Sequence, residues 1–445
     1  MLFIPLLILS IILYIIGNRI SSTLIFFFFL FNGFQFIPEV LFDTHVGISK
    51  SIDFAFVYIV VLFIYGFIKY NDYIPANRIS KLIAIYLSFI IISIGVSILY
   101  YNINIVDIIR TARSYFLVLS YFILRRLTKE ESDKLLKILF SIVLFQCCLF
   151  IIQAFTDIEL LTGGGSGGHF GIITRYYNLP LMLYFFVFYA IFNNPYKGGL
   201  KTFSTIILSI TMFLPLHRSL MMAFIITVFI GIYIRIGRIK KIMKYIPILL
   251  IAIIPFFFFT AKNDGGRTIT DIKNVLNGEF IDIDDDFIMD EESTFMFRMA
   301  HFFERYMDVT DTKMGIIFGA GLMTEDSEYT NKHFDYQIGL ISEETGHLIQ
   351  LDTSDIAWSN FIIRYGVIGT FIYLFFYFGI MTLFIKERMK LCGLINTLYM
   401  LIIFIISLTS DQLYTVYMLI FPLYFHDMLS KEENTCEANF LMQKE

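Results

Sequence analysis

Apolar runs of membrane-crossing length recur from one end of this chain to the other, which leaves few architectures open. A membrane helix needs about 20 apolar residues, with a range of roughly 17–25. Thirteen stretches meet or approach that length: 2–16, 21–37, 52–68, 82–100, 108–124, 135–155, 179–193, 203–217, 219–234, 245–260, 361–385, 391–408 and 413–425. Hydrophobic residues make up 57% of the 445 and charged ones 16%, against roughly 45–50% and about 25% in an average soluble domain. A soluble enzyme, a disordered chain and a coiled coil are excluded. The expected fold is an all-α polytopic membrane protein of about 13 (12–14) transmembrane helices, with one large external loop carrying short helices.

Lysine and arginine in short loops set the orientation. Loops 69–81, 125–137, 235–244 and 386–390 are rich in them, for example Arg125, Arg126, Lys129, Lys134 and Lys137 in the second. The alternate loops 101–107 and 409–412 have none, and 156–178 has only Arg175. The basic set is therefore expected in the cytoplasm. The organisation reads as spans 1–10 in 1–260, a large loop or cap at 261–360 outside, spans 11–13 in 361–425, and a cytoplasmic tail at 426–445. The loop holds 21 of the 38 acidic residues and seven Lys or Arg. Net charge −4 argues against a nucleic-acid partner, which favours a basic patch. Cys147, Cys148, Cys392 and Cys436 lie outside the loop, so it has no disulfide framework. No cysteine spacing suggests zinc. The N-terminus lacks a basic n-region and reads as a retained helix.

Several polar segments interrupt the apolar pattern. Gly163–Gly168, GGGSGG, formally contains G-x-G-x-x-G but has no preceding strand or βαβ context, so a flexible external loop is the plain reading. A backbone nest for phosphate is the alternative, with His169 and Arg175 close behind. IDIDDDF (281–287) resembles the start of an EF-hand loop but has Phe287 at position six, where glycine is needed. It reads as a solvated acidic surface or a loose cation site. Arg110 and Arg113 share one helix face near the membrane surface, placed either to snorkel or to grip an anion. His217 and Arg218 separate two apolar spans with almost no loop. An external Arg there is either turn-stabilising or suited to phosphate oxygens. Arg298 and Arg305 lie in an amphipathic stretch, STFMFRMAHFFERYMDV, where Glu304 or Asp308 offers a structural partner. The segment 346–376 brings His347, Asp352, Asp355 and Arg364 to the external membrane edge. Carboxylates there need pairing, and an Asp355–Arg364 ion pair competes with a catalytic or acceptor-orienting role.

Five arginines, Arg113, Arg175, Arg218, Arg298 and Arg364, thus gather with carboxylates and His on one face. An anionic lipid-linked head group suits such a surface. With these features the chain resembles the O-antigen polymerase (Wzy-type) and O-antigen ligase superfamily of bacterial inner-membrane proteins. LHRSLMMAF is similar to the family's Arg-containing stretch between two spans, with Arg218 in place. FRMAHFFERYMDVTDTKMGIIFGAGL is similar to its loop segment with a leading Arg, here Arg298, and a closing G-x-G, here Gly319 and Gly321. DIAWSNFIIRYGVIG resembles the re-entry segment that ends in Gly366 and Gly369. Where the ligase branch carries His-Asn, this chain has Asp355-Ile356, which favours the polymerase branch.

The resemblance implies transfer of a growing glycan from undecaprenyl pyrophosphate to a sugar hydroxyl on a lipid-linked repeat unit, at the periplasmic face of the inner membrane. Arg218, Arg298, Arg175, Arg113, Arg364 and His169 are the expected pyrophosphate or substrate contacts. Asp355, Asp352 and His347 are the candidate catalytic groups, with His169 a further candidate base. No metal and no cofactor is expected, since arginines neutralise the diphosphate and the donor linkage carries the energy. Expected partners are the lipid-linked donor and acceptor, membrane lipid, a chain-length regulator and a flippase. The alternatives are an O-antigen ligase and a lipid-linked oligosaccharide flippase or other transporter.

Overall fold

A computed structural model of the protein describes residues 3–44, 50–236, 294–341 and 346–424. The span expected at 245–260, the acidic run 281–287 and the tail 426–445 lie outside the described residues. The described chain is helical apart from one small hairpin and an isolated bridge. In order come α1 (Ile4–Ile15), α2 (Arg19–Leu30), α3 (Ser51–Lys69), α4 (Arg78–Leu99), α5 (Ile105–Ala112), α6 (Ser120–Leu124) and α7 (Lys129–Thr156). A hairpin of β1 (Ser166–Phe170) and β2 (Ile173–Tyr176) follows. Then come α8 (Leu183–Asn193), α9 (Gly198–Thr211), α10 (Arg218–Ile236), α11 (Thr294–Thr310), α12 (Lys313–Phe318), α13 (Glu328–His333), α14 (Ala357–Lys386) and α15 (Leu391–Ile405).

Among the described residues, six helices are long and apolar enough to cross a membrane: α3, α4, α7, α10, α14, and α15 with its continuation to Leu408. Four shorter apolar helices accompany them. The molecule is thus a helical membrane protein. Polar side chains start the helices where the backbone leaves its first N–H groups unpaired. Asn77 accepts from the Ser80 amide at 2.8 Å to begin α4. Thr128 and Glu131 exchange bonds in a capping box at the start of α7.

Three sequence expectations change in the structure. The run 108–124 is not one helix: α5 stops at Ala112, and a 3₁₀ turn, Tyr115–Leu119, leads into α6. Arg113 sits at this break, ion-paired with Asp53 of α3. Both side chains are largely buried, and a buried charge is tolerable only beside its partner. The glycine-rich loop is partly ordered, since Ser166–Phe170 pairs antiparallel with Ile173–Tyr176. Finally, α14 begins before the expected span 361–385 and is interrupted at Gly366 (φ 68°, ψ −175°).

That interruption seats the cap on the bundle. The break frees the Ile363 carbonyl, which accepts the Ala320 amide at 2.7 Å. Gly319 (φ 69°) lies directly against it. A Cβ on Gly366 would strike the Gly315 carbonyl and the Gly319 nitrogen. A Cβ on Gly319 would strike the Ile363 carbonyl and the Gly366 nitrogen. The two glycine-bearing stretches singled out in the sequence therefore meet backbone to backbone. Below this crossing α14 packs on α4 and α15 through buried tyrosines. Their hydroxyls need partners away from water. Tyr86 and Tyr365 meet at 2.8 Å, Tyr115 and Tyr414 at 2.5 Å, and Tyr373 donates to the Leu413 carbonyl at 2.6 Å.

Gly366→Ala is expected to destabilise the protein by about 2–4 kcal/mol, combining glycine-only backbone strain with overpacking. Gly95→Ala, in an open helical position of α4, is expected to be neutral or slightly stabilising. Thermal unfolding of the purified protein in detergent compares the two. Equal midpoints would contradict the crossing.

Candidate functional site

The cap is organised by charges that hold backbone rather than ligand. Arg305, fully buried, donates from Nε and Nη2 to the Gln350 carbonyl at 3.1 and 2.7 Å, and from Nη1 to Glu304 at 2.9 Å. Glu304 also accepts the Gln337 and Ile338 amides. Glu325 accepts three successive amides, those of Gln350, Leu351 and Asp352, at 2.5, 2.7 and 3.0 Å. Bonds from a charged group are stronger than neutral ones, so the 350–352 backbone is fixed. Asn360 of α14 then clamps Thr353, accepting its amide at 3.1 Å and donating to its carbonyl at 2.7 Å.

This rigid turn sends its two aspartates to different arginines. Asp352 meets Arg364 of α14 at 2.6 Å, and Arg364 Nε donates to the Met323 carbonyl at 3.3 Å. Asp355 faces Arg298 of α11 at 3.7 Å. An Asp355–Arg364 pair, the expectation from spacing, does not form. Asp352 occupies Arg364, and the Asp355 amide is tied to the Thr353 hydroxyl at 3.1 Å. The expected pairing of Arg305 is met by Glu304.

A cationic cluster borders Asp355. Arg298 is 12% exposed and its Nε is buried without a hydrogen-bond partner. Burial lowers its guanidinium from the ordinary value, opposed by Asp355. Arg175 of β2 lies within its electrostatic reach, stacked over Tyr177 at 4.9 Å. The Nε of Arg175 is also buried without a hydrogen-bond partner. His217, just ahead of α10, completes the group. Burial, then Arg298 and Arg175, pull its imidazole down to about 4, so it is neutral at pH 7. Its Nδ1 lies 2.9 Å from the Ser219 hydroxyl, which meets the Thr409 hydroxyl at 2.6 Å. Fixed, desolvated donors of this kind suit phosphate oxygens.

Buried amides position the hairpin that carries Arg175. Gln153 of α7 accepts the Leu160 and Leu161 amides at 3.1 Å and donates to Asn178 at 2.7 Å. Gln35 accepts the Leu181 amide at 3.1 Å and donates to the Asn178 carbonyl at 3.1 Å. The segment 160–181 is thereby tied to two helices.

The remaining sequence candidates have other surroundings. Arg218 is exposed as the first residue of α10, next to His217. Arg113 is engaged by Asp53. His169 is largely exposed, with Nδ1 3.0 Å from Thr174 and Nε2 3.6 Å from Asp157. His347 is exposed beside the bridge between Ile341 and Leu348. Among the described residues no group of three or more His, Cys, Asp or Glu could hold a metal ion.

Composition and motif matching miss one further group, Asp411. It lies between α15 and the 3₁₀ turn Val416–Leu419, and its amide donates to the Ser354 carbonyl at 3.0 Å. It helps line a cavity of about 380 Å³ together with Asp352, Asn360, Tyr414 and Tyr417. Burial pushes its carboxyl up to about 7, and the charges of Asp352 and Asp355 act in the same direction. An acidic residue in a four-residue loop between two apolar runs was the available signal.

The raised folded value means that the protonated Asp411 favours the folded state. That contribution is complete below its ordinary value of 3.8 and is lost as pH rises through about 7. Asp411→Asn, neutral at every pH, is expected to match the wild type in thermal stability at pH 4 and to exceed it at pH 8. A gap that does not change with pH would contradict this electrostatic account. Comparison with known protein families and with curated proteins finds no match to this chain.

Proposed function

We propose that the protein polymerises undecaprenyl-pyrophosphate-linked oligosaccharide repeat units into O-antigen or capsular polysaccharide. On this reading its thirteen apolar runs cross the inner membrane, and the shorter helices complete their crossings through polar contacts inside the bundle. The basic loops face the cytoplasm, which leaves the cap, the hairpin and the Arg298 cluster on the periplasmic side. The observation that carries the reading is the pair of largely buried arginines, Arg175 and Arg298, beside a neutral His217 and a flanking row of carboxylates.

A diphosphate leaving group develops negative charge as its bond to the sugar breaks. Preorganised guanidinium donors in a water-poor site stabilise that charge more than water does. The lipid tail would lie along the exposed apolar surface of the helices, with its head group at the cluster. Arg218, at the same helix start as His217, would take part in drawing the anion in. Arg364 would act indirectly, holding Asp352 and the turn that presents Asp355. A chain-length regulator and a flippase are the partners this reaction calls for.

The test is the glycan ladder of cells lacking the gene, complemented with wild type or with Arg298→Ala. The reading expects single repeat units in the deletion strain and a full ladder on complementation. Arg298→Ala is expected to lose about 100-fold or more of the polymer, the usual effect of removing one transition-state donor. Long lipid-linked polymer accumulating in the deletion strain would instead identify a ligase. Repeat units retained on the cytoplasmic side would identify a flippase.

A further inference from the structure

The cavity beside Asp411 has a character opposite to that of the arginine cluster. Its volume, about 380 Å³, falls in the range of about 300–1,000 Å³ typical of small-molecule sites. Ile52, Ile349 and Val416 give it apolar walls, and Tyr414 and Tyr417 give it aromatic ones. Asp352, Asn360 and Asp411 supply acceptors and an amide. A diphosphate is repelled here by the two carboxylates. A sugar ring is not: its hydroxyl edge suits carboxylates and amides, and its C–H faces suit tyrosine. The bond between the Asp411 amide and the Ser354 carbonyl fixes this cavity against the turn that carries Asp355, the partner of Arg298. The carboxylate-lined space and the cationic cluster therefore adjoin.

We propose that this cavity is the acceptor subsite, which takes the terminal neutral sugar of the acceptor glycan and uses Asp411 as the base for its attacking hydroxyl. The inference rests on the glycosyl-transfer reading above. In the step, the acceptor hydroxyl oxygen forms a bond to the anomeric carbon of the donor glycan. The bond from that carbon to the diphosphate oxygen breaks, and its electron pair leaves with undecaprenyl pyrophosphate. The hydroxyl proton passes to the Asp411 carboxylate and from there to water. Asp352 stays ion-paired to Arg364 and orients the sugar rather than accepting its proton.

A base of this kind works only when ionised. The groups facing Asp411 are Asp352 and Asp355 from the turn before α14, Tyr184 from α8, and Tyr414 and Tyr417 from its own segment. Burial, with the charges of Asp352 and Asp355 acting in the same direction, raises its proton affinity to about 7. The rate should therefore climb as pH rises through that value.

The test uses the full chain in lipid nanodiscs. The donor is the lipid-linked repeat unit extracted from cells lacking the gene, and the soluble acceptor is the same oligosaccharide freed of its lipid. Released undecaprenyl pyrophosphate is the readout. Asp411→Asn is expected to slow release by about 100-fold or more and to abolish its rise through pH 7, with binding of added undecaprenyl pyrophosphate unchanged. Ser114→Phe, which fills the cavity from another wall, is expected to raise KM for the soluble acceptor about tenfold with little change in kcat. If Asp411→Asn keeps the wild-type rate and pH profile, or Ser114→Phe keeps the wild-type KM, the acceptor subsite is wrong and the polymerase reading stands. If the wild type releases no undecaprenyl pyrophosphate, both fall. Thermal melts of the two variants show whether either loss is merely unfolding.

Discussion

The close approach of Gly319 to Gly366 is the contact on which the rest of the structure depends. A membrane helix normally keeps its backbone hydrogen bonds to itself, because lipid offers no other partner. Here α14 gives up its regular geometry at Gly366, and the freed Ile363 carbonyl is taken by Ala320 of the cap. The exchange is possible because neither glycine presents a Cβ at the crossing. It locks the short helix α12 onto a long membrane helix and sets where Arg364 and the turn 352–355 lie. These charged groups therefore inherit their positions from a backbone contact that carries no charge.

Above that contact the site is separated by sign. Arg175, Arg298 and His217 form one half, and Asp352, Asp355 and Asp411 the other, joined where Asp355 faces Arg298. Burying charges is costly unless they are paired, and the pairing is divided accordingly. Asp352 meets Arg364 at 2.6 Å through one carboxylate oxygen, while Asp355 and Arg298 stand 3.7 Å apart. The looser pair leaves donor capacity on Arg298, whose Nε has no hydrogen-bond partner. Glu304, Glu325 and Arg305 form no part of either half. They spend their charge on backbone amides and carbonyls, which makes the cap a rigid support.

Much of this is legible in the amino-acid sequence. Length and hydropathy specify a helical membrane protein, and FGAGL and RYGVIG stand out as glycine-bearing stretches, although nothing along the chain shows that they meet. Arg298, Arg175, Asp352 and Asp355 stand out because charges at a membrane edge need a reason. Other features were not legible. Spacing suggests Asp355 with Arg364, but the Asn360 clamp on Thr353 turns the chain so that Asp352 takes that place. Arg113 reads as an anion contact and is paired with Asp53, roughly sixty residues away in sequence. GGGSGG reads as a loop with no partner, and its second half forms a strand with 173–176.

The sequence by itself therefore determined the solvent of this protein, its helical class and the inventory of charged groups at one membrane edge. These follow from local rules, since twenty apolar residues must be helical in lipid whatever surrounds them. Only the tertiary structure decided which charge meets which. Pair choice depends on helix breaks, on buried amides such as Gln35 and Gln153, and on contacts between segments hundreds of residues apart. It also decided that Asp411, an unremarked residue in a short loop, stands in a cavity beside two other carboxylates. Desolvation and like-charge repulsion act through space, so the proton affinity they give Asp411 has no signature along the chain.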